Sequence, residues 1–147
     1  DLNTVRFCDE DMLQRFERIQ YITGHIEHRK EEIARHNEEL SKQQVDLSHL
    51  VNGRRMTNLG TFRAYVEAYL RNHPQVNGDM TFLVRQLAPS EKGVPIEIYV
   101  FCKDIVWANY EAIQADIFDH ILAIVPEFDL RVFQEPTGAD FSALTRP

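Results

Sequence analysis

The strongest constraint in this chain is the run from residue 106 to 125, VWANYEAIQADIFDHILAIV. Tyr110, Ile113, Ile117, Ile121 and Ile124 recur at steps of three and four, which puts them on one face of a helix. Glu111, Asp116 and Asp119 fall mostly off that face. Pro126 cannot supply the next backbone donor and so ends the helix, and Val125 before it is pushed away from helical geometry. A one-sided helix needs a surface to cover, and its neighbours in sequence supply one. Residues 79–87 (DMTFLVRQL) read as a strand, with Phe82 and Val84 on one side and Leu83 and Leu87 on the other. Residues 88–93 carry turn chemistry, Pro89 early and Gly93 late. Residues 94–102 form the return strand, where Ile96, Ile98 and Val100 alternate with Glu97, Tyr99 and Phe101. Asp104 is placed to cap the long helix, and Asp129 leads into a closing strand over 130–134.

The first half is more heterogeneous. Residues 2–7 (LNTVRF) are short and β-leaning, with Val5 and Phe7 on one side. Asp9 is a good N-cap, and Glu10 and Asp11 follow in the first turn, where the helix dipole favours acids. Met12, Leu13, Phe16 and Ile19 give that helix one apolar stripe, and Gly24 marks a break. Residues 25–42 are dominated by charge, with Ile26, Ile33 and Leu40 as a thin seam spaced by seven. The intervening positions are polar, so the segment reads as an exposed helical arm rather than a coiled coil. Residues 43–53 are a polar connector. Thr57 or Asn58 caps the next helix, whose buried face is Phe62, Tyr65, Val66, Tyr69 and Leu70, and Asn72-His73-Pro74 stops it. The order is strand, helices, strand, strand, helix, strand. This βαββαβ pattern predicts an α+β, ferredoxin-like sandwich with two helices on one face of an antiparallel sheet and a charged helical arm inserted near the N-terminus.

A chain of 147 residues with 44% hydrophobic and 10% aromatic residues can bury a real core. The net charge of −7 disfavours nucleic acid and anionic lipid as main partners, since both reward clustered Lys and Arg. Cys8 and Cys102 are far apart and flanked by apolar residues, as expected of reduced cysteines in a core or strand. No apolar run reaches the ~20 residues of a membrane helix. The chain opens on Asp1 and runs directly into a strand-like segment, as a piece of a longer protein would. The expected division is residues 1–53 (the end of an upstream β-domain plus the arm), 54–138 (the C-terminal α/β domain) and 139–147 (a tail).

The residues alone offer little chemistry. His25 and His28, or Asp116 and His120, can share a helix face, but two ligands are too few for a metal and no second Cys or His cluster completes a set. Asp116 and His120 read instead as an exposed helical pair. Gly-x-Gly does not occur, and Ser90 and Ser142 lack a nucleophile elbow. Acyl-phosphate hydrolysis needs a loop Arg and a positioned Asn; Arg85 with Asn109 can only be forced into that role, since no anion-cradling loop surrounds them. Phe82, Tyr99 and Phe101 lack the basic residues of an RNA-stacking sheet and read as packing. No catalytic, cofactor-binding or metal residue is assigned, and no cofactor is expected.

Longer strings are more specific. RRMTNLGTFRAYVEAYLRNHP (54–74), DMTFLVRQLAP (79–89) and PIEIYVF with VWANYEAIQADIFDHILAIVPEFDLRVFQEPTG (95–138) resemble the small-conductance mechanosensitive channel (MscS) family, in particular its bacterial miniconductance branch. The resemblance is strong over 54–138 and looser over the first 40 residues. It implies a cytoplasmic cage domain of an inner-membrane channel, assembled as a homo-oligomer of seven copies below a pore that opens under membrane tension and releases solutes in hypo-osmotic shock. The membrane helices and gating residues would lie upstream of Asp1, and no nucleic acid is implied. In the family a final strand often joins a barrel on the symmetry axis. The short tail, with Phe141 and Leu144, is expected to make at most an intersubunit contact. The competing readings are a soluble ferredoxin-like regulatory module that binds a small molecule, and an acylphosphatase-like enzyme.

Overall fold

The computed structural model describes residues 1–138. The tail with Phe141, Ser142 and Leu144 lies outside the described residues. Four α-helices, α1 (Glu10–Glu17), α2 (Thr23–Lys42), α3 (Asn58–Arg71) and α4 (Trp107–Ile124), are interleaved with four short strands, β1 (Val76–Asn77), β2 (Leu83–Gln86), β3 (Ile96–Tyr99) and β4 (Phe101–Cys102). The molecule is α+β, with the charged arm formed by α2. The hairpin β2–β3 is antiparallel, Leu83 opposite Tyr99 and Gln86 opposite Ile96. Its turn closes through paired Ser90–Gly93 backbone bonds, with Gly93 at φ +99°, a conformation glycine adopts without penalty. The return strand divides at Val100: β3 pairs with β2, while β4 pairs with β1, a two-residue strand too short to leave a sequence signal.

The two outer strands expected from the sequence are not regular strands. Leu2–Thr4 is a 3₁₀ turn, and only Phe7 makes a bridge, to Thr57. Local side-chain bonds win over a ladder there: Asp1 Oδ1 accepts from Asn3 N–H, and Thr4 Oγ1 donates to the Asp1 carbonyl. Residues 130–134 have no ladder either. They run beside the N-terminus, whose amine donates to the Arg131 carbonyl at 2.7 Å while Arg131 N–H donates to Thr4 Oγ1 at 3.3 Å.

Helix ends follow local chemistry. Asp9 Oδ1 accepts the Met12 N–H at 2.9 Å, as expected of an N-cap. The break before the arm falls over residues 18–22 rather than at Gly24, which sits in the first turn of α2. Thr23 Oγ1 secures the corner by donating to the carbonyls of Glu17 and Ile19. Thr57 caps α3 by accepting from Gly60 N–H, which leaves Asn58 for a different task. Asp104 secures the entry to α4 from two residues before its cap, accepting from Val106 N–H and from Asn109 Nδ2, both at 2.8 Å. Pro126 ends α4 as expected: the chain passes into a 3₁₀ turn, Val125–Phe128, closed by Asp129 in the left-handed region at φ 52°.

One core joins these pieces. Met12 and Phe16 of α1, Ile22 and Ile26 at the root of the arm, Val66 and Leu70 of α3 and Phe128 beyond α4 are all almost fully buried. Beyond Ile26 the arm is charged and no residue is fully buried. Phe82, Val84, Ile96 and Ile98 bring the hairpin onto the core.

The Asp9 cap predicts an acid dependence. The Met12 backbone bond, foremost, holds the Asp9 carboxyl below its ordinary 3.8. A carboxylate whose pKa is depressed on folding contributes stability above the unfolded value and loses it as pH falls through the folded one. The melting temperature is therefore expected to drop as pH goes below 3.8, and Asp9→Asn, which keeps a cap, to drop less steeply. Parallel melting curves of the two proteins in acid would expose the idea as wrong.

Candidate functional site

A cleft of about 720 Å³ lies between the arm and α3. Room is left along α3 by Gly60, which has no side chain, and by Ala64 and Ala68, which carry only a methyl, each about one helical turn from the next. It is also lined by Arg29, Arg55, Arg63, Arg71 and His25, with Glu67 as the one acidic residue. Positions scattered over more than forty residues thus converge in a protein of net charge −7.

Each arginine is held differently. Arg29 Nη1 donates to Glu32 at 2.7 Å across one turn of α2. Arg71 donates through Nε and Nη2 to Glu67 Oε1 and lies 4.2 Å above the Phe82 ring, a cation–π contact. Arg55 is aimed by the connector: its Nη2 donates to the Leu47 carbonyl at 2.9 Å and its Nε to that of Leu50. The connector is itself clamped to the arm, because Asn37 Oδ1 accepts from Arg54 N–H and Asn37 Nδ2 donates to the Arg54 carbonyl. Gly53 permits that approach: at φ +81° a Cβ would stand 2.6 Å from Asn37 Oδ1. Arg63 is exposed, with no hydrogen bond or ion pair among the described residues. Burial, more than the neighbouring Arg29 and His28, pushes the His25 pKa down.

The residues singled out by sequence are placed as follows. His25 lines the cleft while His28 faces Glu32 at 3.4 Å. Among the described residues no group of three or more His, Cys, Asp or Glu is arranged to hold a metal. Asp116 and His120 are not the exposed pair their spacing suggested. His120 turns inward, its Nε2 2.8 Å from the Tyr65 hydroxyl and its ring stacked on Tyr69 at 4.2 Å, which joins α4 to α3. Arg85 is engaged with Glu97 across the hairpin and Asn109 with Asp104, so each serves a local bond. Ser90 Oγ accepts from Lys92 N–H inside the turn. Phe82 packs under Arg71, and Tyr99 and Phe101 meet edge to face at 5.5 Å. Cys8 and Cys102 are free thiols, both pushed above the ordinary thiol range mainly by burial.

The sequence reading missed the four arginines and a second face of α4. Ile117 and Ile121 are buried, yet Trp107, Phe118 and Leu122, together on another side of that helix, are 76%, 49% and 53% exposed. The preceding Ile105 and Val106 are also exposed. An exposed apolar strip of this kind is the usual mark of a surface that meets a partner. Among the described residues no helix is long and apolar enough to cross a membrane.

Comparison with known proteins gives this architecture a family. The low conductance mechanosensitive channel YnaI of Escherichia coli (strain K12) is 31% identical over 84 residues, which cover 57% of this chain and 22% of that channel. The chain thus spans about a fifth of the length of that channel. Residues 57–132 match the family described as mechanosensitive ion channel MscS, C-terminal, a stretch that runs from the cap of α3 through the hairpin and α4. It takes in just over half of the 147 residues, so the chain belongs to the MscS C-terminal domain family of mechanosensitive ion channels.

Proposed function

We propose that this chain is the cytoplasmic vestibule domain of a bacterial inner-membrane channel that opens under membrane tension and lets solutes leave during hypo-osmotic shock. In this reading residues 54–138 are the repeated module, 1–53 connect it to an upstream β-domain and carry the arm, and 139–147 form a tail. The pore and its gating residues belong to preceding sequence, consistent with a match that accounts for only 22% of the channel YnaI.

The observation that carries the assembly part is the exposed apolar face of α4. Fully burying a side chain such as Phe or Leu contributes roughly 1.5–3 kcal/mol, so Trp107, Phe118 and Leu122 supply a strong drive to find a partner surface. In a ring of seven copies that contact must be heterologous and must close on itself. The family relationship selects another copy of the chain as the partner.

The test is Phe118→Asp combined with Leu122→Asp in the intact channel, followed by native mass spectrometry and patch recordings under suction. Loss of the oligomer and of tension-activated current is expected. The same pair in the 147-residue chain should leave its melting temperature within a few degrees, because both side chains are half-exposed. An oligomer that survives the double substitution would remove α4 from the interface. Tension-activated current that persists in the double variant would remove this face from gating.

A further inference from the structure

We propose that the cleft between the arm and α3 is a binding site for a phosphate monoester carrying a small organic group. This rests on the cleft alone and is independent of the channel reading. Four arginines and one acidic residue line it, and Glu32, just outside, offsets Arg29. The remaining excess suits a doubly charged anion. Arginine's planar fork matches the oxygens of phosphate in bidentate fashion, which a lone ammonium does not.

Three features make this a site rather than a patch. Arg55 is aimed by two connector carbonyls, and the connector is clamped to the arm by Asn37, so the charge is held in position before any ligand arrives. Arg63 has no protein partner among the described residues and retains its full donor set for a ligand. The Gly60, Ala64 and Ala68 floor leaves room, and the cavity is within the size range of small-molecule sites. Tyr21, whose ring is exposed, and Met56 offer apolar surface at the same cleft for the organic part of the ligand. Inorganic phosphate satisfies the arginines and leaves that surface uncovered, so it should bind more weakly than an ester.

A phosphate monoester can reach the cleft as a soluble metabolite or as the headgroup of phosphatidic acid, and the experiment separates the two. Calorimetric titration of the chain with AMP and with inorganic phosphate gives the soluble arm. Flotation with phosphatidylcholine vesicles, with and without phosphatidic acid, gives the lipid arm. Each is repeated with Arg63→Gln, with Arg55→Gln, and with Arg35→Gln on the exposed side of the arm. In whichever arm binding is seen, Arg63→Gln and Arg55→Gln should each weaken it about tenfold or more, the loss of charge-assisted bonds to the anion, while Arg35→Gln should leave it unchanged. Amide shifts on binding should be confined to α3 around Ala64, to the arm around His25 and to Arg55 and Met56 just after the connector. Exposed Arg63 has no partner to lose, so its variant should melt with the parent, which keeps a binding loss distinct from misfolding. Binding in neither arm, or binding that Arg63→Gln and Arg55→Gln leave intact, overturns the proposal.

Discussion

Asn58→Ala is expected to lower stability by about 3 kcal/mol in urea denaturation, which for a chain of this size is a fall of roughly 6–12 °C in melting temperature. Asn58 is fully buried yet polar, and it uses its whole amide. Its Oδ1 accepts from the N–H groups of Arg6 and Leu59, both at 2.9 Å, and its Nδ2 donates to the carbonyls of Thr4 at 2.8 Å and Asp129 at 3.3 Å. The amide therefore ties together the N-terminal segment, the first turn of α3 and the corner that follows α4. The alanine variant leaves those partners unpaired at the edge of the core, where each lost bond costs about 1–3 kcal/mol when water cannot replace it. Asn58→Asp should be worse, because a carboxylate has no hydrogens to offer two carbonyl oxygens and brings a charge into a buried place. A loss under about 1 kcal/mol for the alanine variant would show that water takes over the role of the amide.

How Asn58 acquires that role shows where sequence reasoning stops. Adjacent Thr57 and Asn58 are equally good caps by residue type; Thr57 takes the local bond, and Asn58 is free for partners 52, 54 and 71 positions away. Short-range patterns carried through well. Of the stripe Phe62, Tyr65, Val66, Tyr69, Leu70 all but the half-buried Tyr69 are buried, a hairpin forms within 79–102, and the arm is helical and charged. What depends on contacts distant in sequence did not. The segments 2–7 and 130–134 have strand-like composition, but they meet through the terminal amine and the Thr4 hydroxyl instead of a ladder. His120 reads as a surface residue from the acids around it and is drawn inward by Tyr65 and Tyr69. The cationic cleft had a partial signature: Arg63, Glu67 and Arg71 repeat at four, beside Gly60, Ala64 and Ala68, with His25 and Arg29 spaced likewise on the arm. That the two faces oppose each other follows only from the fold-back of the arm.

Phe128→Ala should be the most damaging single truncation, at about 3–5 kcal/mol, with Phe128→Leu near 1.5 kcal/mol or below. Phe128 sits on the 3₁₀ turn that Pro126 enforces and touches three aromatic rings from two other elements: Phe16 of α1 at 5.1 Å, and Phe62 and Tyr65 of α3 at 5.4 and 5.5 Å. The consequence reaches beyond the loss of one side chain. Residues 57–132 carry the family match, but Met12, Phe16, Ile22 and Ile26, which are buried in the same core, lie before it. Phe128 is where the family stretch grips α1 and, through it, the root of the arm. Its truncation is therefore expected to raise amide exchange in α1 and in the first turns of α2 more than in the β2–β3 hairpin, whose antiparallel register from Leu83–Tyr99 to Gln86–Ile96 is not involved in that grip. Phe16→Ala should produce the same exchange pattern, and the double variant should cost less than the two singles together, since the pair loses one shared contact. Additive costs, or exchange that rises equally in the hairpin, would mean that Phe128 holds the whole core and not the junction between the arm and the channel domain.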